Sequence, residues 1–340
     1  MRDRLKNQLS YLFFVLLAIF AFYTVFQDND LGMILVSLKR MNLWSLLLAA
    51  VTALVFTMIE GVLIWYLLRG LQGRAEFMKC IRYSFVGFLY SGITPSATGG
   101  QPMQLYHMKR DGNSLSASTV VLMTVALVYK LVLVLMGIAM MLFGFSELKQ
   151  HLGRYLNLFY LGTFLNTALV VVLLVVMIFP DFARILLLSV DRLLVKMKLW
   201  KKSDTRTSKI EQFIQSYQKA VMFLIYNKKQ VMIVVLVTFI QRCMVFLLPY
   251  IVYLGFGLTG TSALTILMVQ MSVYLAVDML PLPGAQGITE LMYRQVFRNI
   301  FTAEYVIPSM CVSRGISFYF LLFASIGVCI VHRIRFKMSS

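Results

Sequence analysis

Seven continuous apolar runs, at residues 9–26, 43–68, 117–145, 155–179, 231–254, 263–280 and 305–331, set the terms on which this chain can fold. Each approaches or exceeds the ~20 residues that a helix needs to cross the hydrocarbon core of a bilayer. A transmembrane β-barrel would show short segments of alternating polarity instead. Hydrophobic residues make up 60% of the 340, more than a soluble domain can hide. The fold class is therefore an all-α polytopic membrane protein of about seven or eight spans. The first run follows a basic start (Arg2, Arg4, Lys6) but is too long for a signal-peptide core and lacks a small-residue cleavage site. It reads as the first span.

Two interruptions in this apolar pattern carry the functional reading. The first is Thr94-Pro95-Ser96-Ala97-Thr98-Gly99-Gly100-Gln101-Pro102, leading on to Gln104 and Tyr106. The second is Pro281-Leu282-Pro283-Gly284-Ala285-Gln286-Gly287-Ile288-Thr289-Glu290. Backbone polar groups cannot stay unpaired in hydrocarbon, so a broken helix at membrane depth needs protein or a water-filled cavity around it. Paired breaks in opposite halves of a chain point to a transport site. After each break a helix restarts, and its first N–H groups have no intrahelical partner and favour an anion. Two such ends facing one cavity could hold a phosphodiester. Gln101, Gln104, Gln286 and Thr289 would add neutral hydrogen bonds, and glycine would let a headgroup approach the backbone. The plainer reading is a pair of kinked helices packed on their neighbours. Two Gly/Pro clusters with polar residues exceed what a kink needs.

The net charge of +18 invites a nucleic-acid reading, but the charges sit in loops flanking the spans. Positive-inside topology and anionic headgroups explain them more simply. Segments 1–8, 69–82, 107–116, 180–230 and 332–340 hold 23 of the 32 Lys and Arg. If these are cytoplasmic, so are both termini. The first break then enters from the cytoplasmic side, whereas the second begins and ends outside, near Lys39, Arg40, Lys149, Arg154, Arg294 and Arg298. The two would be inverted re-entrant hairpins, Gly-Gly-Gln-Pro at 99–102 answering Gly-Ala-Gln-Gly at 284–287.

Residues 180–230 form a basic amphipathic segment inside what is otherwise one domain, 1–340. Arg184, Arg192, Lys196 and Lys198 among Ile, Leu and Val suit a helix in the interface. Ile210, Phe213, Ile214, Tyr217, Val221 and Leu224 keep a helical period. The segment reads as a surface that collects headgroups or as a solvated positive-inside loop. Its length is near the lower limit for an independent core, so no soluble catalytic domain is expected.

Six charges fall within apolar surroundings: Glu60, Lys130, Arg242, Asp278, Glu290 and Arg314. Each costs roughly 2.5–3.5 kcal/mol at the centre of a span. Three acids and three bases make pairing plausible, yet the sequence does not assign the pairs. Structural ion pairs, or reach to the interface from a helix end, are the bland alternatives. Glu290 could simply be an acid in a first helical turn. Cys80, Cys243, Cys311 and Cys329 are far apart without metal spacing, and His107, His151 and His332 lie near span ends. No nucleophile elbow, phosphate loop or metal motif appears, so no catalytic residue, cofactor or metal is assigned.

The stretch Ile93 to Pro102 resembles the membrane domain of the lysylphosphatidylglycerol synthase/flippase family, also called multiple peptide resistance factor. Leu282 to Glu290 resembles that family's late Pro-Gly-Gly-x-Gly-x-x-Glu segment, with Ala285 where the second Gly is usual. The resemblance covers nearly the whole chain. It implies a membrane-only member of the bacterial inner membrane that moves aminoacylated or other phospholipids between leaflets. In two-domain relatives a separate soluble domain transfers lysine from lysyl-tRNA to phosphatidylglycerol, and no such domain is expected here.

The expectation is a flippase without catalytic chemistry, its partners membrane phospholipids, with a soluble aminoacyl-transferase chain and a homo-oligomer as further candidates and no nucleic acid. The expected headgroup site comprises Thr94, Ser96, Thr98, Gly99, Gly100, Gln101, Gln104, Gly284, Gln286, Gly287, Thr289 and Glu290, with Arg242 and Arg314 as membrane-embedded bases. The alternatives are a phosphatidylglycerol lysyltransferase completed by a catalytic chain and an ion-coupled small-molecule transporter.

Overall fold

The computed structural model describes residues 41–94, 97–197, 204–280 and 287–338, with Val36 and Lys39. The first apolar run, 9–26, lies outside them. So do Pro95, Ser96 and residues 281–286, which include Gly284 and Gln286.

Among the described residues five helical runs are long and apolar enough to cross a bilayer: Leu43–Gln72, Leu115–Phe143, Phe145–Ile178, Lys228–Gly255 and Val306–His332. Their outward residues, among them Trp44, Phe143, Phe164, Met232 and Leu236, are large, apolar and exposed. In water such a surface would aggregate; in lipid it is the expected exterior. The chain is a multi-pass, all-helical membrane protein. Helix α1 (Leu43–Gln72) starts at Asn42, whose side chain accepts from Trp44 N at 2.9 Å. This is ordinary N-capping by Asn.

The first break makes a helical hairpin. Helix α2 (Phe77–Ile93) runs inward, the chain turns, and α3 (Gly100–Arg110) runs back along it. The antiparallel register is fixed by contacts at three levels. Gly100 lies against Ser91 and Gly87, Gln104 against Gly87, and Asp111 bonds to Arg82 and Tyr83. A Cβ at Gly100 would come within 2.7 Å of Gly87 O, so only glycine allows this approach. The open end of the hairpin sits with the end of α1, the start of α4 (Leu115–Phe143) and the end of α14 (Leu321–Met338), where Arg82 meets His332.

Helix α5 (Phe145–Leu152) and a 3-10 turn, Gly153–Tyr155, lead into α6 (Leu156–Ile178). Helices α7 (Pro180–Lys196) and α8 (Asp204–Tyr226) follow on the side of the first hairpin's open end. They are tied together by Arg184–Glu211 at 2.6 Å and by Arg206–Asp191. Ile214, Tyr217, Val221 and Leu224 are buried, as their helical period requires. Tyr217 Oη donates to Val176 O at 3.1 Å, pinning α8 to the end of α6, and burial pushes this phenol up to about 12. Helix α9 (Lys228–Phe246) meets α10 (Leu248–Gly255) at a kink, where Pro249 in the first turn of α10 interrupts the run.

The apolar run 263–280 folds into α11 (Ala263–Val277), only 15 residues long. At 1.5 Å per residue it reaches about 22 Å, short of the ~30 Å hydrocarbon core. It starts beside α10, where Tyr253 Oη donates to Thr259 O at 2.7 Å, and ends halfway along α4, where Asp278 meets Tyr129 and Lys130. Gly162 of α6 makes room for it, since a Cβ there would lie 2.9 Å from Ala276 Cα. Helix α12 (Ile288–Val296) packs against α11 and runs antiparallel to α13 (Val306–Arg314), with Glu290 at Arg314 and Tyr293 at Ser309. A π-helical turn, Gly315–Phe320, joins α13 to α14.

The α11–α12 pair is thus a second hairpin whose open end lies with the start of α1, the end of α4 and the end of α10. Asn42 N to Gly255 O, at 3.0 Å, marks that face. The two hairpins enter from opposite faces, as the charge distribution predicts. Each has its own apolar core, one including Ile64, Tyr83 and Val120, the other Phe159, Tyr293 and Phe297.

Candidate functional site

Between the two hairpins lies a chain of polar groups contributed by α1, α3, α4, α9, α11, α12 and α13. At its first end Gln104 Nε2 donates to Glu60 Oε1 at 2.7 Å. Gln104 is buried, because Gly87 on the facing helix leaves room for its amide. At the centre the Arg242 guanidinium lies 4.2 Å from the ring centre of Tyr129 and 4.6 Å from that of Phe56. It contacts Gln241 Oε1 at 3.3 Å, and Gln241 is itself fixed by donating to Phe56 O at 2.7 Å. At the far end Tyr129 Oη donates to Asp278 Oδ1 at 2.8 Å and lies 3.0 Å from Tyr274 Oη. Lys130 is ion-paired with Asp278, and Arg314 Nε bonds Glu290 Oε1 at 2.9 Å.

Two of the three acid–base pairs anticipated by charge parity therefore form, Lys130–Asp278 and Arg314–Glu290. The third does not close. Glu60 takes an amide, and Arg242 takes two aromatic faces. Among the described residues no carboxylate pairs with Arg242, and its Nε has no hydrogen-bond partner. The guanidinium acts electrostatically on Glu60, Tyr129 and Tyr274, so these groups share one neighbourhood, which Arg314 also reaches through Tyr274. A desolvated cation over an aromatic face gains up to about 2 kcal/mol, which offsets much of the insertion cost. It leaves Nε without a hydrogen-bond partner among the described residues, and that N–H can donate to an anion.

The sequence-predicted residues divide by place. Gln104, Arg242, Glu290 and Arg314 join the polar chain. Thr289 is buried beside Glu290 in the first turn of α12, and Gly287 starts that helix with φ of 80°. Ser96, Gly284 and Gln286 lie outside the described residues. Gln101 and Thr98 are exposed and are not brought into the cluster.

The backbone at the first tip also differs from expectation. Thr94 Oγ1 accepts from Gly99 N at 2.8 Å and donates to Tyr90 O at 2.7 Å, so this hydroxyl closes the turn. Pro102 has no N–H, and Met103 N already reaches Gly99 O at 3.3 Å. At most Gly100 and Gln101 could then offer amides, a poorer anion cradle than a free helix end provides.

Sequence reading passed over Tyr129, Tyr274 and Gln241. Each had a local signal. Tyr129 adjoins Lys130, Tyr274 stands one helical turn before Asp278, and Gln241 adjoins Arg242.

A family model described as the lysylphosphatidylglycerol synthase TM region matches residues 8–325. No curated protein matches the chain.

Proposed function

The chain belongs to the lysylphosphatidylglycerol synthase TM-region family, and from that membership we propose that it moves phospholipids between the leaflets of the bacterial inner membrane. The headgroup passes between the two opposed hairpins while the acyl chains stay in the bilayer. The observation that carries this reading is Arg242. It is a buried cation with no carboxylate partner among the described residues, midway along the polar chain that connects one hairpin to the other. A lipid phosphate is an anion of the right kind to meet it, and two neighbouring ion pairs give the passage groups able to exchange partners with an aminoacylated, cationic headgroup.

The side carrying α7, α8 and the open end of the first hairpin is read as cytoplasmic, because it bears most of the Lys and Arg. Both termini then lie on that side. A soluble aminoacyl-transferase would deliver its product there, and a second copy of the chain would sit alongside in the membrane.

The test is reconstitution into liposomes carrying a headgroup-labelled phospholipid, with dithionite quenching the outer leaflet. Quenching beyond half of the label, faster than in protein-free vesicles, supports transport. Quenching that stops at half, in vesicles that hold folded protein and exclude dithionite, rejects it. Uptake of a soluble solute driven by an ion gradient, without lipid exchange, would select the small-molecule alternative.

A further inference from the structure

Helices α7 and α8 run antiparallel at one end of the bundle, since Arg184 reaches Glu211 and Arg206 reaches Asp191. Helix α8 touches several spans near the same face. Phe213 O accepts from Ser116 Oγ, at the start of α4, at 3.3 Å, and Tyr217 reaches the end of α6. Leu224 shares an apolar core with Leu63 of α1 and Val234 of α9. A helix held by so many span ends lies across that face, along the membrane surface, and α7 lies beside it.

The inward side of α7 is what this pairing requires. Ala183 is buried, and Leu187, Asp191 and Val195, each one turn further on, are half-buried. The opposite side is apolar as well. Phe182, Ile185, Val190 and Leu193 recur at helical spacing and are between 45% and 60% exposed, and Met197 just beyond the helix continues the stripe. Helix α8 differs. Its exposed positions beside α7 include Lys209, Gln212, Gln215 and Lys219. One helix of the pair thus turns a face suited to water outward, and the other a face that water does not suit. The stripe on α7 is continuous with the outer side of α6, where Val171, Ile178 and Phe179 are exposed as on the other spans. Arg192 and Lys196 are exposed along its edge. Of the two acids on α7, Asp191 is held by Arg206 and Asp181 lies at the other end, in the first turn.

We infer that α7 is an interfacial helix whose outer face is covered by the acyl chains of the bilayer, with Arg192 and Lys196 drawing anionic phospholipid headgroups to its edge. Continuity with the lipid-facing side of α6 selects the bilayer as the cover, and the rim of cations selects the lipid. The arrangement gathers acidic phospholipid on the side of the first hairpin's open end. It stands whether or not the chain moves lipid.

The experiment uses the full chain in phosphatidylcholine vesicles, with its four native cysteines replaced. A polarity-sensitive fluorophore is attached through Leu193→Cys on α7 or Gln215→Cys on α8, both exposed positions. Lipid brominated along its acyl chains should quench the label on α7, and iodide on both sides of the membrane should leave it bright. The label on α8 should show the reverse. Brominated phosphatidylglycerol should half-quench the α7 label at about a fivefold lower mole fraction than brominated phosphatidylcholine, the worth of one basic residue at a charged surface. Arg192→Gln/Lys196→Gln should erase that preference and keep the contact with lipid. Iodide quenching on α7 equal to that on α8 would place the stripe in water and overturn the inference. Quenching by neither agent would overturn it in favour of a protein cover, a second copy or another chain. Equal quenching by the two brominated lipids, with Arg192 and Lys196 intact, would overturn the choice of anionic lipid.

Discussion

Gln104 Nε2 lies 2.7 Å from Glu60 Oε1, and this hydrogen bond ties the first re-entrant hairpin to the middle of α1. A carboxyl group within a span is costly unless something donates to it. Gln104→Met should therefore destabilise the protein by about 1–3 kcal/mol, the cost of a buried acceptor losing its donor. Glu60→Gln/Gln104→Met should cost less than the sum of the single changes. Unfolding in mixed micelles gives the double-mutant cycle, and additive losses would show that the two side chains do not interact.

Lys130 and Asp278 should behave as a unit. Lys130→Met alone strands a carboxylate against Tyr129 and should cost about 3–5 kcal/mol, as breaking buried pairs does. Adding Asp278→Asn removes the stranded charge and keeps an oxygen for Tyr129. Thermal unfolding of the double variant should lie closer to the parent than that of Lys130→Met. A double variant as unstable as the single one contradicts the pairing.

Two glycines next to helical breaks should respond in opposite ways. A Cβ at Gly100 would come 2.7 Å from Gly87 O, so Gly100→Ala forces the hairpin open and should cost about 1–3 kcal/mol or more. Gly315, at the start of the π-helical turn, has helical dihedrals and nothing within 4 Å of an added Cβ. Gly315→Ala should be neutral or stabilising by up to about 1 kcal/mol. Melting temperatures of the two variants decide, and equal losses would refute the packing described for the hairpin.

The inverted arrangement makes a labelling prediction. Lys109, by the open end of the first hairpin, and Arg298, by that of the second, are both exposed. With the four native cysteines replaced, Lys109→Cys and Arg298→Cys should react with an impermeant maleimide from opposite sides of sealed vesicles. Reaction of both from the same side would mean that the hairpins are not inverted.

Much of this arrangement was legible from residue order. The break at 94–99 announced itself through Pro95, Gly99 and Gly100, because so many turn-forming residues inside an apolar stretch exceed what a kinked helix needs. The opposite entry of the second hairpin followed from which loops carry Lys and Arg. Charge parity foretold ion pairs without assigning them, since Asp278 and Lys130 are 148 residues apart and only packing brings them together. The choice between Gln101 and Gln104 was also hidden. Both follow the glycines, but α3 turns Gln104 toward Gly87 and α1 and leaves Gln101 outside. The part Thr94 plays in closing the turn was hidden for a related reason. Its hydroxyl bonds to Tyr90 O and Gly99 N, partners that only the folded turn brings to it.

The most direct measurement is the rate of labelled-lipid exchange in proteoliposomes carrying Arg242→Gln. Its side chain keeps an amide donor on a shorter stem and loses the charge. If the headgroup phosphate meets Arg242 between the hairpins, exchange should fall at least about tenfold, one charge-assisted hydrogen bond's worth. The Gly315→Ala protein should match the parent. Exchange at the parental rate in folded Arg242→Gln protein would contradict a passage through this site.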